Sequence, residues 1–269
     1  MVKVLILGAG YGTRLQRDLA SSTEYQHLLG VPKALLPLGG RDALITHWIE
    51  LFEKHGISAK NDIYIVTNDS CYQAFQTWAA AHEISQDHIV SDGTSSNETR
   101  LGAVPDILFG IQQFGLDQQD HVLVVGGDTL FLHDFDLLAF LRTFEQQERG
   151  CLVTTYQVKD SEVHKFGIVE TDKDGLITSF LEKPEPTATQ ARSACPCFYL
   201  FHKEAISLIE AFIKECKQAN APKEAYDATG KCLAYLYPRF PIATFPISGR
   251  IDVGGLESYL DAHAYFSSN

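Results

Sequence analysis

The chain opens on Val2-Lys3-Val4-Leu5-Ile6-Leu7, an apolar run of strand length, and breaks at once into Gly8-Ala9-Gly10. A run without apolar/polar alternation suits a strand buried on both faces, as in a parallel sheet. Such a sheet needs crossover connections, so helix-period segments should follow. They do. Leu44, Ile45, Trp48, Leu51, Phe52 and His55 form a helical stripe after Asp42, ended by Gly56. Ile63–Val66 reads as a second buried strand, Ser70–His82 as a helix and His88–Val90 as a short third strand. Val104, Ile107, Leu108 and Ile111 mark another helix, His121–Val125 the clearest strand, and Leu137, Phe140, Leu141 and Phe144 a further helix. This order predicts an α/β fold, Rossmann-like, with three α/β/α layers and a mostly parallel central sheet joined by right-handed crossovers.

After Gly150 the segments shorten. Leu152–Val158, Gly167–Glu170 and Leu176–Phe180 read as strands, the last two joined across Asp172-Lys173-Asp174-Gly175. An Asp-Gly pair between strands is a hairpin signal. Cys197–Phe201 and Ile242–Phe245 read as strands, with helices at Ala205–Phe212 and from Leu256. Gln16–Gly30 and Thr187–Ser193 are polar and unpatterned and read as exposed loops. The expectation is one domain over residues 1–269, with a half at 1–150 and a smaller, strand-rich half at 151–269.

Charge narrows the function. Against 22 Lys+Arg stand 34 Asp+Glu, a net charge of −12. That balance argues against broad binding to nucleic acid or an anionic membrane surface, which require a basic face. It leaves room for a local basic pocket. No apolar stretch approaches the roughly 18 residues of a membrane-spanning helix, and the amino terminus lacks the pattern of a secretory leader. The six cysteines are scattered, and Cys195-Pro196-Cys197 alone is a poor zinc signal. Reduced thiols in a cytoplasmic protein are expected.

Leu7-Gly8-Ala9-Gly10-Tyr11-Gly12-Thr13-Arg14-Leu15 carries the first chemistry. A glycine-rich turn after a buried strand lets backbone N–H groups approach phosphate closely. The dinucleotide fingerprint fails, because its third glycine would fall on Thr13; a P-loop fails for want of Gly-Lys-Ser/Thr. Arg14 adds a guanidinium able to clamp phosphate oxygens in pairs. A plain strand-to-helix turn is the competing reading. Lys33, within Val31-Pro32-Lys33-Ala34-Leu35-Leu36-Pro37, is a candidate to reach the same phosphates, although a single lysine is ordinarily solvated surface.

Together, G-x-G-x-G-T-R-L and P-K-A-L-L-P resemble the sugar-phosphate nucleotidyltransferase family, the nucleoside-diphosphate-sugar pyrophosphorylases, in its short single-domain type. Later landmarks recur in order: Val124-Val125-Gly126-Gly127-Asp128, Phe166–Glu170, Leu181-Glu182-Lys183-Pro184, Cys197–Phe201 and Gly249–Tyr259. The resemblance implies an enzyme that condenses a nucleoside triphosphate with a sugar 1-phosphate. It implies Mg²⁺ on Asp128 and Asp252, and catalytic charge from Arg14 and Lys33. Nucleotide contacts would come from Leu7, Ala9, Gly10, Gly12, Thr13 and Arg14, with Asn97 and Gly102 nearest the base. Gly167, Glu182, Lys183 and Tyr199 would serve the sugar phosphate. The implied partners are these two small molecules, with neither nucleic acid nor membrane, and room is left for a homo-oligomer.

Three features depart from the family pattern. The interval from Leu15 to Pro32 is long, Gly255 stands for a usual threonine, and Cys197 for a usual glycine. Two other readings stand beside this one. The first is a cytidylyltransferase for another phosphorylated alcohol such as phosphocholine. The second is a catalytically inactive regulatory homologue, which would tend to lose Arg14, Lys33 or an aspartate; all are present here.

Overall fold

The computed structural model describes residues 1–116 and 120–268. In chain order come β1 Val2–Leu7, α1 Thr13–Ala20, α2 Thr46–Lys54, the four-residue α3 Ala59–Asp62, β2 Ile63–Thr67, α4 Asp69–Ala81, β3 Ile89–Ser91 and α5 Ala103–Phe114. There follow β4 His121–Gly126, β5 Thr129–Phe131, α6 Leu137–Glu145, β6 Cys151–Gln157, β7 Gly167–Thr171, β8 Ile177–Glu182, β9 Ser193–Ala194 and β10 Phe198–Phe201. Then come α7 Ile206–Gln218, α8 Glu224–Asp227, α9 Thr229–Leu236, β11 Ile242–Pro246, β12 Arg250–Asp252 and α10 Leu256–Ser267. The α/β class and its βαβα alternation are as the apolar periodicity predicted.

Packing divides the chain into two compact units, neither continuous in sequence. The first comprises Met1–Val4, Gly102–Val125 and His133–Gly249; the second Leu5–Leu101, Gly126–Leu132 and Arg250–Asn269.

In the first unit, β10 lies antiparallel to both β4 and β6, while β11 runs parallel to β6. Beyond β6 the order continues β9, β7, β8, all antiparallel. The β7–β8 hairpin turns where expected: Asp172 N–H bonds Leu176 O, and Gly175 takes φ +80°. Phe140 anchors the core, with ring centroids 5.2 Å from Phe198 and 5.5 Å from Phe245 in edge-on contact.

In the second unit β2 and β3 pair in parallel, and β2 neighbours β1. Leu5 and Ile6 of β1 and Ile65 and Val66 of β2 are fully buried, which explains their unbroken apolar runs. At the ends of these strands Gly8 N–H bonds Val66 O (2.7 Å) and Asn68 Nδ2 donates to Ala9 O (2.9 Å). Asn68 also caps α4, accepting from Cys71 N–H at 3.1 Å. β5 and β12 form a separate antiparallel ladder.

Some local expectations are corrected. The stripe after Asp42 becomes helical only at Thr46, because Asp42 accepts from Thr46 Oγ1 and pairs with His82 rather than opening the helix. Gln16–Gly30 is not a free loop. Its first residues lie in α1, Leu19 and Leu28 are buried, and Gln16 ties the far end through Val31 O (3.0 Å) and Gly30 N–H (2.8 Å). In Thr187–Ser193, Thr189 is buried and donates to Glu170 Oε1 at 2.6 Å. All six cysteines are free, with Cys151, Cys195 and Cys232 buried. Among the described residues no helix is long and apolar enough to cross a membrane.

Candidate active site

The expected charged residues of the glycine loop and the two aspartates fall together within the second unit. Gly12 adopts the left-handed conformation (φ +57°, ψ +30°) where the loop turns into α1. Its missing side chain has a second use: a Cβ there would stand 3.2 Å from Cγ of Lys33, whose stem passes over the loop. Lys33 Nζ then reaches Asp128 Oδ2 at 2.9 Å, with side-chain exposures of 20% and 41%. Leu7 O accepts from Gly127 N–H (3.0 Å), which sets the residue before Asp128 directly beside the end of β1.

Asp252 is brought to Asp128 by the β5–β12 ladder, in which Asp252 pairs with Thr129 and Val253 N–H bonds Asp128 O (2.9 Å). The buried Thr129 hydroxyl lies 3.3 Å from Asp128 Oδ1 and 3.2 Å from Asp252 Oδ1. Arg250 NH1 donates to Asp252 Oδ1 (2.9 Å) and to Thr129 Oγ1 (3.0 Å). Two like charges held this close would repel, and Arg250 and Lys33 offset that repulsion. Arg14 Nε donates to Gly254 O (2.8 Å), so its guanidinium lies on the segment that carries Asp252. Asp18 completes the arrangement by accepting from Leu256 N–H (3.2 Å) at the start of α10.

Other predicted nucleotide contacts are more dispersed. Thr13 is exposed at the start of α1, Gly10 has open space at its Cα, and Ala9 is buried beneath Asn68. Tyr11, which sequence reasoning passed over, bonds Thr94 Oγ1 at 2.8 Å; Thr94 in turn donates to Asp92 Oδ1 at 2.7 Å. Asn97 sits in the Ser96–Thr99 turn with its carbonyl accepting from Arg100 (3.1 Å). Gly102 belongs to the first unit, where it precedes α5 with φ +111°. A Cβ on it would stand 2.5 Å from Asp227 Oδ1, the oxygen that caps Ala103 N–H at 3.0 Å.

The four predicted acceptor residues cluster in the first unit. Gly167 pairs with Glu182 across β7 and β8, and Lys183 N–H bonds Phe166 O (3.0 Å). Lys183 has φ +49°, a left-handed conformation rare for a side-chain-bearing residue. Burial raises the Glu182 carboxyl pKa, against the pull of Lys183 and Lys231. Tyr199 is buried in β10, its hydroxyl 3.1 Å from Thr229 Oγ1, and burial drives its pKa well above the usual phenol value.

The pair Asp128 and Asp252 suits a hard, oxygen-seeking cation. Both carboxylates converge on one hydroxyl, and the described residues offer no cluster of three or more His, Cys, Asp or Glu. A metal there would take few protein ligands and leave positions for phosphate oxygens and water, the habit of Mg²⁺. Thr129, Arg250, Tyr11 and Asp18 went unread, since strand pairing or long-range contact gives them their place, although Thr129 adjoins Asp128, Tyr11 lies in the glycine motif and Arg250 stands two residues before Asp252.

A sequence profile described as nucleotidyl transferase matches residues 3–269. The glucose-1-phosphate adenylyltransferase of Koribacter versatilis (strain Ellin345) is 24% identical over 61% of this chain and 41% of its own length. The UTP–glucose-1-phosphate uridylyltransferase of Synechocystis sp. (strain ATCC 27184 / PCC 6803 / Kazusa) is 26% identical over 77% and 51%. The chain thus spans about half or less of these relatives. A UDP-glucose pyrophosphorylase structure with UDP-glucose superimposes at TM-score 0.72, with 20% identity over the whole of both chains. A Bacillus anthracis protein assigned as a glucose-1-phosphate thymidylyltransferase, solved with sucrose, gives 0.74 at 21% identity, covering 100% and 96%. These structural likenesses establish the fold.

Proposed function

Because the chain belongs to the nucleotidyl transferase family, we propose that it condenses a nucleoside triphosphate with a sugar 1-phosphate, releasing pyrophosphate and forming a nucleoside-diphosphate sugar. The observation that carries this reading is the convergence of Asp128 and Asp252 on the Thr129 hydroxyl, with Lys33 on one carboxylate and Arg14 held at Gly254. A second support is the nature of the relatives, two of which are named for nucleotidyl transfer to glucose 1-phosphate.

The sugar phosphate oxygen attacks the α-phosphorus in line, and the P–O bond to pyrophosphate breaks. The second pKa of a phosphate monoester is near 6, so the nucleophile is largely dianionic at neutral pH and needs no general base. The difficulty is to bring two polyanions together, and positioned positive charge meets it. In this proposal Mg²⁺, held by Asp128 and Asp252, supplies Lewis acidity and charge neutralisation at the phosphates. Arg14 and Lys33 bind and neutralise the triphosphate, and backbone N–H groups of the Gly10–Thr13 turn orient it. Leu7 and Ala9 shape the floor of that turn, while Asn97 and Gly102 serve the base. Lys183 binds the acceptor phosphate, Glu182 accepts from sugar hydroxyls, and Gly167 and Tyr199 line that pocket.

The same proposal treats residues 1–269 as one catalytic domain, with 1–150 as the nucleotide half and 151–269 as the acceptor half, which also lends Asp252 to the metal. Free cysteines, three of them buried, support a reducing, cytoplasmic setting. A pyrophosphate-release screen of four nucleoside triphosphates against sugar 1-phosphates and phosphocholine tests the reading. Turnover with at least one sugar 1-phosphate is expected. Turnover only with phosphocholine, or with no acceptor, overturns it.

A further inference from the structure

Glu182 lies in an unusually narrow seat. Its Oε2 stands 3.1 Å from where a Cβ on Gly167 would be, on the paired strand. On the other side is Gly230, the buried second residue of α9. A Cβ on Gly230 would overlap Glu182 Oε2 outright and stand 2.8 Å from Glu182 Cδ and 2.9 Å from Cε1 of Phe180. The carboxylate is therefore slotted between two bare Cα positions, with the Phe180 ring beside it. Gly230 has an ordinary helical backbone, so no left-handed conformation accounts for a glycine there. Gly230 lies in the first turn of α9, where nothing in its backbone conformation calls for a glycine. The space a side chain would need is taken by the Glu182 carboxylate, with the Phe180 ring edge beside it.

The seat is built but incomplete. Among the described residues no side chain or backbone group hydrogen-bonds the Glu182 carboxylate. Lys183 and Lys231 act on it only through their charge. Lys231 Nζ instead donates to Glu224 O. A partly buried carboxylate with acceptor capacity left over is suited to hydroxyl donors from a bound polyol. Beside it, the Thr229 hydroxyl is taken up by Tyr199. Hence the first turn of α9 contributes one residue whose hydroxyl binds Tyr199 and one that gives up its side chain to Glu182.

We propose that Gly230 is a positioning residue for acceptor recognition: by lacking a side chain it seats the Glu182 carboxylate where it accepts from the hydroxyls of a sugar phosphate. The proposal rests on the reading of Glu182 as an acceptor ligand given above. Gly230 acts on the acceptor through Glu182, so its effect on sugar-phosphate binding must vanish when Glu182 is gone, while the Phe180 contact leaves a residual cost in stability.

A double-mutant cycle tests this, using Gly230→Ala, Glu182→Ala and the pair together. Gly230→Ala is expected to raise the KM for sugar phosphate about tenfold or more, with the KM for nucleoside triphosphate within about twofold. In the Glu182→Ala background the same substitution should change neither. Glu182→Asp, one methylene shorter, should partly rescue Gly230→Ala. Melting temperatures give a second cycle that needs no substrate: the loss caused by Gly230→Ala should shrink once Glu182 is truncated. Equal effects in both backgrounds, in KM and in melting temperature, overturn the proposal. A wild-type chain that turns over no sugar 1-phosphate overturns the functional reading instead, while the melting cycle still decides whether Gly230 seats Glu182.

Discussion

Lys33 Nζ lies 2.9 Å from Asp128 Oδ2, so the lysine expected to meet a triphosphate is paired with an aspartate expected to meet a metal. The pair is partly exposed on both sides and contributes little to folding, on the order of 0–1 kcal/mol. On the proposed function its two members have separate tasks, which mutation can separate.

Lys33→Ala is expected to lower turnover about 10²–10³-fold, the usual cost of one lost transition-state charge contact. Arg14→Ala should behave alike. Thermal denaturation alongside steady-state kinetics checks this, since a melting point that collapses with activity would assign either residue a structural task.

Asp128→Asn and Asp252→Asn should each abolish divalent-cation binding measured directly, for example by Mn²⁺ titration followed by electron paramagnetic resonance. Thr129→Val removes only the hydroxyl between the two carboxylates, and it should weaken binding about 10–100-fold. Unchanged Mn²⁺ affinity in either Asn variant removes that residue from the ligand set.

Lys183 provides a test in which stability and function move in opposite directions. Its φ of +49° is a conformation that glycine adopts freely. Lys183→Gly should therefore leave the melting temperature unchanged or raise it, with about 1 kcal/mol of backbone strain relieved. The same variant should raise the KM for sugar phosphate strongly and that for nucleoside triphosphate little. A rise confined to the nucleotide would contradict the assignment.

A pH effect follows from His121, whose pKa burial pushes down to about 4, with further depression from His202, the amino terminus and Lys203. Its Nδ1 accepts from Lys203 N–H at 3.2 Å, which requires the unprotonated ring nitrogen. In the unfolded chain the ring titrates near its ordinary 6.5, so between 6.5 and 4 the unfolded state binds the extra proton. Stability is thus intact above pH 6.5 and falls as the pH drops toward 4. Denaturant titrations at pH 7.5 and 5.0 should show this loss, and His121→Gln should reduce it, leaving the share of His202, whose pKa burial also lowers.

The strands β1, β2 and β4 were legible because burial on both faces leaves an unbroken apolar run. α4 and α5 were legible because one buried face repeats every three or four residues. The strands β5 and β12 were not, since Thr129–Phe131 and Arg250–Asp252 are three residues long and become strands by pairing with each other. Likewise α1 shows only Leu15 and Leu19 as buried positions, too few to register as a stripe. In the candidate site, Arg14, Lys33, Asp128 and Asp252 were legible through motif and charge. Thr129 and Gly230 were not: a hydroxyl shared by two distant carboxylates, or a Cα left bare for one, has no signature in local sequence.

The β5–β12 ladder also fixes when the site can exist during synthesis. Asp128 leaves the ribosome long before Asp252, which sits beyond 123 intervening residues and reaches its place only when β12 pairs with β5. A nascent chain that has emerged only as far as Gly249 carries the glycine loop, Lys33 and Asp128 but lacks the second aspartate, Arg250 and the Gly254 carbonyl that holds Arg14. The charge constellation is thus assembled late in translation, and a chain ending there lacks both the second aspartate and α10, whose Tyr259 hydroxyl bonds Pro37 O.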